Sequence, residues 1–233
     1  MCPLCGSRLG RSDAPAGGPA SAPAGVALPS WEDGGVGFPA NLFATWWRSM
    51  SEPTRFFRGV PFEAPLLRPL LYYLIIAMVS ALFTLWWQAV GTIPTGWFDA
   101  LGVGRGADAG AGGGAVFQFF LAPFAALIGL VVWGLALHLF VLLFAPSRRA
   151  LGATLRVLVY SSGPTALTAL PWIGPLLGTV WGLVLSIIGM REAHRTTPGR
   201  AAAIVLIPVG LFLLFFLALF VLFIVGAGRL LLE

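Results

Sequence analysis

From residue 69 onward the chain is built from apolar runs separated by short stretches that carry arginine. A hydrocarbon core of about 30 Å takes about 20 helical residues to cross. In lipid the backbone N–H and C=O groups have no water to bond, so a run of that length satisfies them within itself, as a helix. The runs are residues 69–90, 116–145, 151–170, 172–190 and 201–227. In the first, Tyr72, Tyr73, Trp86 and Trp87 sit near the two ends, where aromatic belts form. The second is longer than one crossing needs, so it either tilts or lies partly at the interface ahead of Pro123.

Only 10% of the residues are charged, against about 25% in an ordinary soluble domain, which excludes a soluble globular enzyme. The net charge of +5 comes from 14 basic residues that are all arginine. In a membrane protein these are topology signals, so the expected partner is a lipid bilayer and not nucleic acid. With a cytoplasmic N-terminus, eleven arginines precede the first span or fill the 146–150 and 191–200 turns, and only Arg105 and Arg229 fall on the far side. An odd number of crossings is needed to keep Arg191, Arg195 and Arg200 inside. The Gly-rich loop 91–114 contains GVGRG, but no strand precedes it, so it is not a dinucleotide-binding turn.

Ahead of the spans, Cys2 and Cys5 form a CPLC knuckle like half of a zinc ribbon. A structural zinc needs four ligands and no second CxxC follows, so zinc here is shared between chains or absent. A redox thiol pair and a relict ribbon are the other readings. Residues 11–40 are rich in Ala, Gly and Pro and read as a disordered linker. The first thirty residues contain no apolar run of signal-peptide type, so the N-terminus is expected to be retained. Residues 41–65 interleave Trp46, Trp47, Phe56 and Phe57 with Arg48, Arg55 and Arg58, the pattern of an amphipathic segment in the membrane interface, split at Pro53. A soluble juxtamembrane helix packed on the rest of the protein is the alternative.

Inside the apolar runs the ionisable residues are His138 and Arg156. Both lie near the cytoplasmic ends, where Arg156 either snorkels to the headgroups or pairs with Glu192 or Glu63. His138, Arg156 and Glu192 are thus expected to meet at the cytoplasmic rim and to fix the packing there, with a pH response if water reaches His138. Tyr160–Pro164 interrupts the third run, and Pro164 predicts a kink there, structural or serving a substrate site. Gly174, Gly178, Gly182 and Ser186 recur every four residues, a smooth face that admits another helix closely, from this chain or a second copy. No nucleophile, base and orienting group can be assembled, so the chain reads as no enzyme and needs no cofactor.

Three short motifs carry a resemblance. An acidic residue shortly before a proline enters the first span, as Glu63 and Pro65 in FEAPLL. A tyrosine, small residues and a proline follow in the third, as Tyr160 and Pro164 in VYSSGP. The fourth ends in Arg191, Glu192 and His194. With these the chain, from about residue 61 onward, resembles the Yip domain family of integral membrane proteins, named for interaction with Ypt/Rab GTPases in eukaryotes and widespread in bacteria. The resemblance implies an all-α, multi-pass bundle of five transmembrane helices over 66–229. It is similar to the bacterial members in particular, which implies the inner membrane. The function expected is a non-enzymatic role in membrane organisation or partner scaffolding. The rivals are a small-molecule transporter or channel using the kinked third helix, and a metal or redox sensor working through the CPLC arm.

Overall fold

The computed structural model describes residues 28–33, 37–91, 111–145 and 149–230. The CPLC knuckle and most of the 11–40 linker lie outside these residues. The described elements are helical throughout: α1 (Ser30–Asp33), α2 (Ala40–Ser51), α3 (Pro53–Arg58), α4 (Leu67–Ala89), α5 (Ala111–Phe144), α6 (Leu151–Ser161), a 3-10 stretch (Gly163–Ala169), α7 (Ile173–His194) and α8 (Pro198–Leu230).

Four helices are long and apolar enough to cross a membrane, over Leu67–Ala89, Phe119–Phe144, Ile173–His194 and Pro198–Val225. The third expected span is not one of them. Its α-helix stops at Ser161 and continues as the 3-10 stretch, a larger departure than the kink expected from Pro164. The two pieces together still rise about 30 Å, because a 3-10 residue climbs about 2.0 Å against 1.5 Å in an α-helix. This segment runs beside α4 in the same direction. Tyr160 meets Tyr72 at a ring distance of 5.4 Å, Ser80 Oγ bonds Thr165 Oγ1 at 3.2 Å, and the Trp87 indole N–H donates to the Thr168 carbonyl at 3.0 Å. Tyr72 to Trp87 is about 22 Å of helix rise, so the third segment accompanies α4 along much of its length.

Tight reversals join the last three passes. Ile173 N–H bonds the Pro171 carbonyl at 2.7 Å across Trp172, held at φ 63°. That three-residue turn is rare and strained, and it sends the chain straight back along α7. At the other end Arg195 takes the left-handed conformation at φ 47°, and Thr196 N–H returns to the Arg191 carbonyl at 3.1 Å, closing α7 at His194 instead of 190. Thr197 and Pro198 then start α8.

The glycine face of α7 rests on the third segment. A Cβ at Gly174 would strike the Leu167 carbonyl, one at Gly178 would lie 2.7 Å from the Pro164 oxygen, and one at Gly182 would lie 3.4 Å from that of Ser161. The core below is Phe57, Tyr72, Val157, Tyr160, Leu185 and Met190, joined by Leu137 and Val141 of α5, all buried, while the other face of α5, with Phe124, Ile128 and Val132, and residues 211–225 in α8 turn outward, as lipid requires.

The N-terminal part differs most from expectation. Residues 28–33 are ordered, not linker: α1 docks on α2 and α4, with Trp31 edge-on to Tyr72 at 6.3 Å and its backbone N–H on Thr45 Oγ1 at 2.9 Å. The 41–65 segment does break at Pro53, giving α2 and α3. However, α2 turns Asn41, Thr45 and Ser49 inward and Phe43 and Trp47 outward, and the Trp46 indole N–H donates to the Gly163 carbonyl at 2.8 Å. It therefore lies against the break in the third segment and exposes its aromatic side.

Alanine at Gly174 or Gly178 is expected to lower the thermal midpoint in detergent, since forcing atoms into a packed contact costs about 1–3 kcal/mol. Gly129→Ala on α5, where a Cβ meets nothing within 4 Å, serves as the control and should gain up to about 1 kcal/mol of helix propensity. Equal responses at all three sites would mean that α7 does not rest on the third segment.

Candidate functional site

Arg156 is the largest fully buried side chain among the described residues. Its position follows from α6, whose residues 156–161 are all buried. The guanidinium is met from above by the loop between α3 and α4. Nη1 donates to the Pro61 carbonyl, and Nη2 donates to the carbonyls of Ala64 at 2.9 Å and Pro65 at 2.6 Å. Two prolines bracket this loop, which turns back on itself through Ala64 N–H to the Pro61 carbonyl at 3.1 Å. Proline has no N–H and restricts the residue before it, so the loop is stiff and shows the arginine acceptors. This is the structural content of Pro65.

Neutral carbonyls bond a guanidinium but do not neutralise it. The counter-charge is Glu32 of α1, at 2.9 Å from Nη1 through Oε2 and 3.2 Å through Oε1, with the Tyr160 hydroxyl donating to Oε1 at 2.6 Å. Glu32 is 8% exposed at its side chain. Burial pushes its carboxyl above the ordinary glutamate range, outweighing the downward pull of the Tyr160 hydrogen bond and of Arg156. A pair of this kind is expensive to bury, and removing one partner leaves an uncompensated charge costing about 3–5 kcal/mol.

The expected rim cluster is therefore divided. Arg156 pairs with neither Glu192 nor Glu63. Glu192 binds Arg191, with Nη2 at 2.5 Å, and lies 3.6 Å from Nε of Arg58, while Glu63 is an exposed residue 3.7 Å from Nε of Arg149. His138 joins a different group, centred on buried Thr154. The Arg149 backbone N–H donates to Nδ1 of His194 at 3.2 Å, so a neutral His194 carries its proton on Nε2 and gives it to Thr154 Oγ1 at 3.0 Å. The hydroxyl proton is then directed to Nδ1 of His138 at 2.8 Å. This chain of donors ties α5, α6 and α7 together and uses both ring nitrogens of His194 and Nδ1 of His138. Among the described residues no three His, Cys, Asp or Glu are gathered as a metal site.

Tyr160, Pro164, Gly178 and Gly182 come together at the break in the third segment, where the interior is filled by protein. Phe56 and Tyr72 flank Tyr160 at ring distances of 5.2 and 5.4 Å, and Gly163 faces Tyr72, Trp46 and Ser49. Two members of these sites, Glu32 and Thr154, were missed by the sequence reading. The signal for Glu32 was the island Ser30-Trp31-Glu32-Asp33, one aromatic and two acids in an Ala/Gly/Pro background.

Glu32→Leu or Arg156→Leu alone is expected to lower stability by about 3–5 kcal/mol, and the two together by far less, because no orphan charge remains. Thermal unfolding of the four species gives the coupling directly. Glu192→Gln, tested in the same way, should be additive with Arg156→Leu.

Comparison with known proteins adds one result. No curated protein and no solved structure matches the chain. The family model of the Yip1 domain matches residues 47–220, which take in the end of α2, all of α3 to α7, most of α8, Arg156, Tyr160 and the loop of carbonyls. With that match over most of its length, and with the all-α membrane bundle described above, the chain belongs to the Yip1 domain family.

Proposed function

We propose that the protein is a non-enzymatic membrane scaffold that holds its N-terminal segment against a five-pass bundle and offers it to partners on the cytoplasmic face of the inner membrane. The observation that carries this reading is how the third segment is filled. A transporter using that break would line it with an open polar path. Here Tyr160 is fully buried, its hydroxyl is spent on Glu32, and the surrounding space holds Phe56, Tyr72, Trp46 and Ser49. The backbone of α7 packs directly on the Leu167 and Pro164 carbonyls, which leaves the break no room on that side.

The orientation rests on the arginine count: Arg58, Arg149 and Arg191 all lie with α1 to α3 at one end of the bundle, the end that the positive-inside rule assigns to the cytoplasm. The outward aromatic face of α2, Phe43 and Trp47, then meets lipid beside that end.

Two measurements test the proposal. Single cysteines placed among residues 92–110 and at Thr197, in a Cys2→Ser, Cys5→Ser background, should label from opposite sides of sealed vesicles. Labelling of both from one side contradicts the topology. Photo-crosslinking from Asp33 in native membranes should capture a defined protein partner or a second copy. Adducts with lipid alone, together with solute uptake into proteoliposomes, would favour the transporter instead.

A further inference from the structure

Glu32 is an imperfect ligand for the site it fills. Both of its oxygens meet the guanidinium through the single nitrogen Nη1, and Nε of Arg156 is buried without a partner. The side-by-side pairing that a carboxylate or phosphate usually makes with arginine is thus absent. The carboxyl's raised titration range shows that burial opposes its charge more than its partners support it. The helix that delivers it has four residues and is held by few bonds: the Trp31 indole N–H on the Arg68 carbonyl, Arg68 Nη1 on the Glu32 carbonyl, both 2.6 Å, and the Trp31 amide on Thr45.

The receptor, by contrast, lies wholly within the family-matched residues. Arg156, Tyr160, the 61–65 carbonyls and Arg68 all fall inside 47–220, whereas Glu32 falls outside. Among the described residues every other carboxylate in an ion pair is paired elsewhere, Glu52 with Arg55, Glu63 with Arg149 and Glu192 with Arg58 and Arg191. If α1 leaves, Arg156 keeps a buried charge that nothing else in these pairs can compensate, and an external anion becomes the favoured occupant.

The geometry points to an anion-binding site at Arg156, Tyr160 and Arg68 that takes the phosphate of an acidic lipid headgroup and that Glu32 occupies in its absence. The phosphate would accept from Tyr160 and from the arginine nitrogens that Glu32 leaves unmatched. The lipid source follows from the surroundings. Arg68 is exposed in the first turn of α4 between Leu67 and Leu71, both outward-facing apolar residues suited to acyl chains. Free phosphate shares the headgroup chemistry but gains nothing from those leucines. A lipid that enters displaces α1, so occupancy of the site and docking of the N-terminal segment exclude each other.

The test uses the full-length protein in neutral detergent, with native mass spectrometry counting adducts of dioctanoyl phosphatidylglycerol, dioctanoyl phosphatidylcholine and inorganic phosphate. Removing the internal competitor raises the fraction of open sites, so Glu32→Gln should bind one phosphatidylglycerol about tenfold or more tightly than wild type. Trp31→Ala, which loosens α1 and keeps both charges, should move affinity the same way and guards against a Glu32→Gln protein that does not fold. Glu32→Leu combined with Arg156→Leu should lose the adduct. Preference for phosphatidylglycerol over phosphatidylcholine that survives excess inorganic phosphate assigns the site to lipid, and displacement by inorganic phosphate assigns it to the free anion and overturns the lipid proposal. Equal phosphatidylglycerol binding by wild type, Glu32→Gln and Trp31→Ala, or undiminished binding by the double leucine variant, overturns the site itself.

Discussion

A guanidinium that no solvent reaches has to be given both hydrogen-bond acceptors and a counter-charge by the protein, and much of the end of the bundle where α1 to α3 lie is arranged around that need. Three carbonyls from the 61–65 loop supply acceptors to Arg156, and Glu32 supplies the charge. Through this one residue the third segment, the entrance to α4 and the N-terminal helix are held in a single register. Replacing such a pair by apolar residues is often no worse for stability, so what the pair contributes is specificity: it defines where α1 sits. Tyr160 links it to the aromatic packing, because its hydroxyl serves Glu32 while its ring packs between Phe56 and Tyr72.

The second constraint is thickness. A segment that is half α-helix and half 3-10 stretch leaves backbone carbonyls without the usual intrahelical partners, and such groups are tolerated at membrane depth only where protein covers them. The glycines of α7 provide the cover by letting its backbone lie against Pro164 and Leu167. On the opposite side Trp46, Ser80 and Trp87 place indole and hydroxyl groups on Gly163, Thr165 and Thr168. The inward polar face of α2 has the same origin, since Thr45 and Ser49 line a seam where polar groups are wanted, and Phe43 and Trp47 are left on the outside.

Sequence patterns made the passes legible because lipid imposes them locally: length, hydropathy and arginine placement are each properties of a single run. The break at Tyr160–Pro164 was legible for the same reason, although its 3-10 form depends on the close approach of Gly174 and Gly178 from another helix. The charge partner of Arg156 was not legible. Glu32 is 124 residues away in a stretch whose composition reads as linker, and nearer acids, Glu63 and Glu192, offered themselves first. Thr154 was missed because a threonine between two helical turns gives no hint that two histidines will converge on it. Both misses concern polar groups whose partners are chosen by tertiary packing, where periodicity carries no information.

The central claim, that the Arg156 charge pins the N-terminal helix, is tested most directly by amide hydrogen exchange at Trp31 in wild type and in Arg156→Gln. The Trp31 amide bonds Thr45 Oγ1 only while α1 is docked. Its exchange should be slowed in wild type, by at least about tenfold relative to an unstructured chain, and should rise to the unstructured rate in the variant while the amides of α7 stay protected. Fast exchange at Trp31 in the wild-type protein, or slow exchange that survives the loss of the arginine charge, would contradict it.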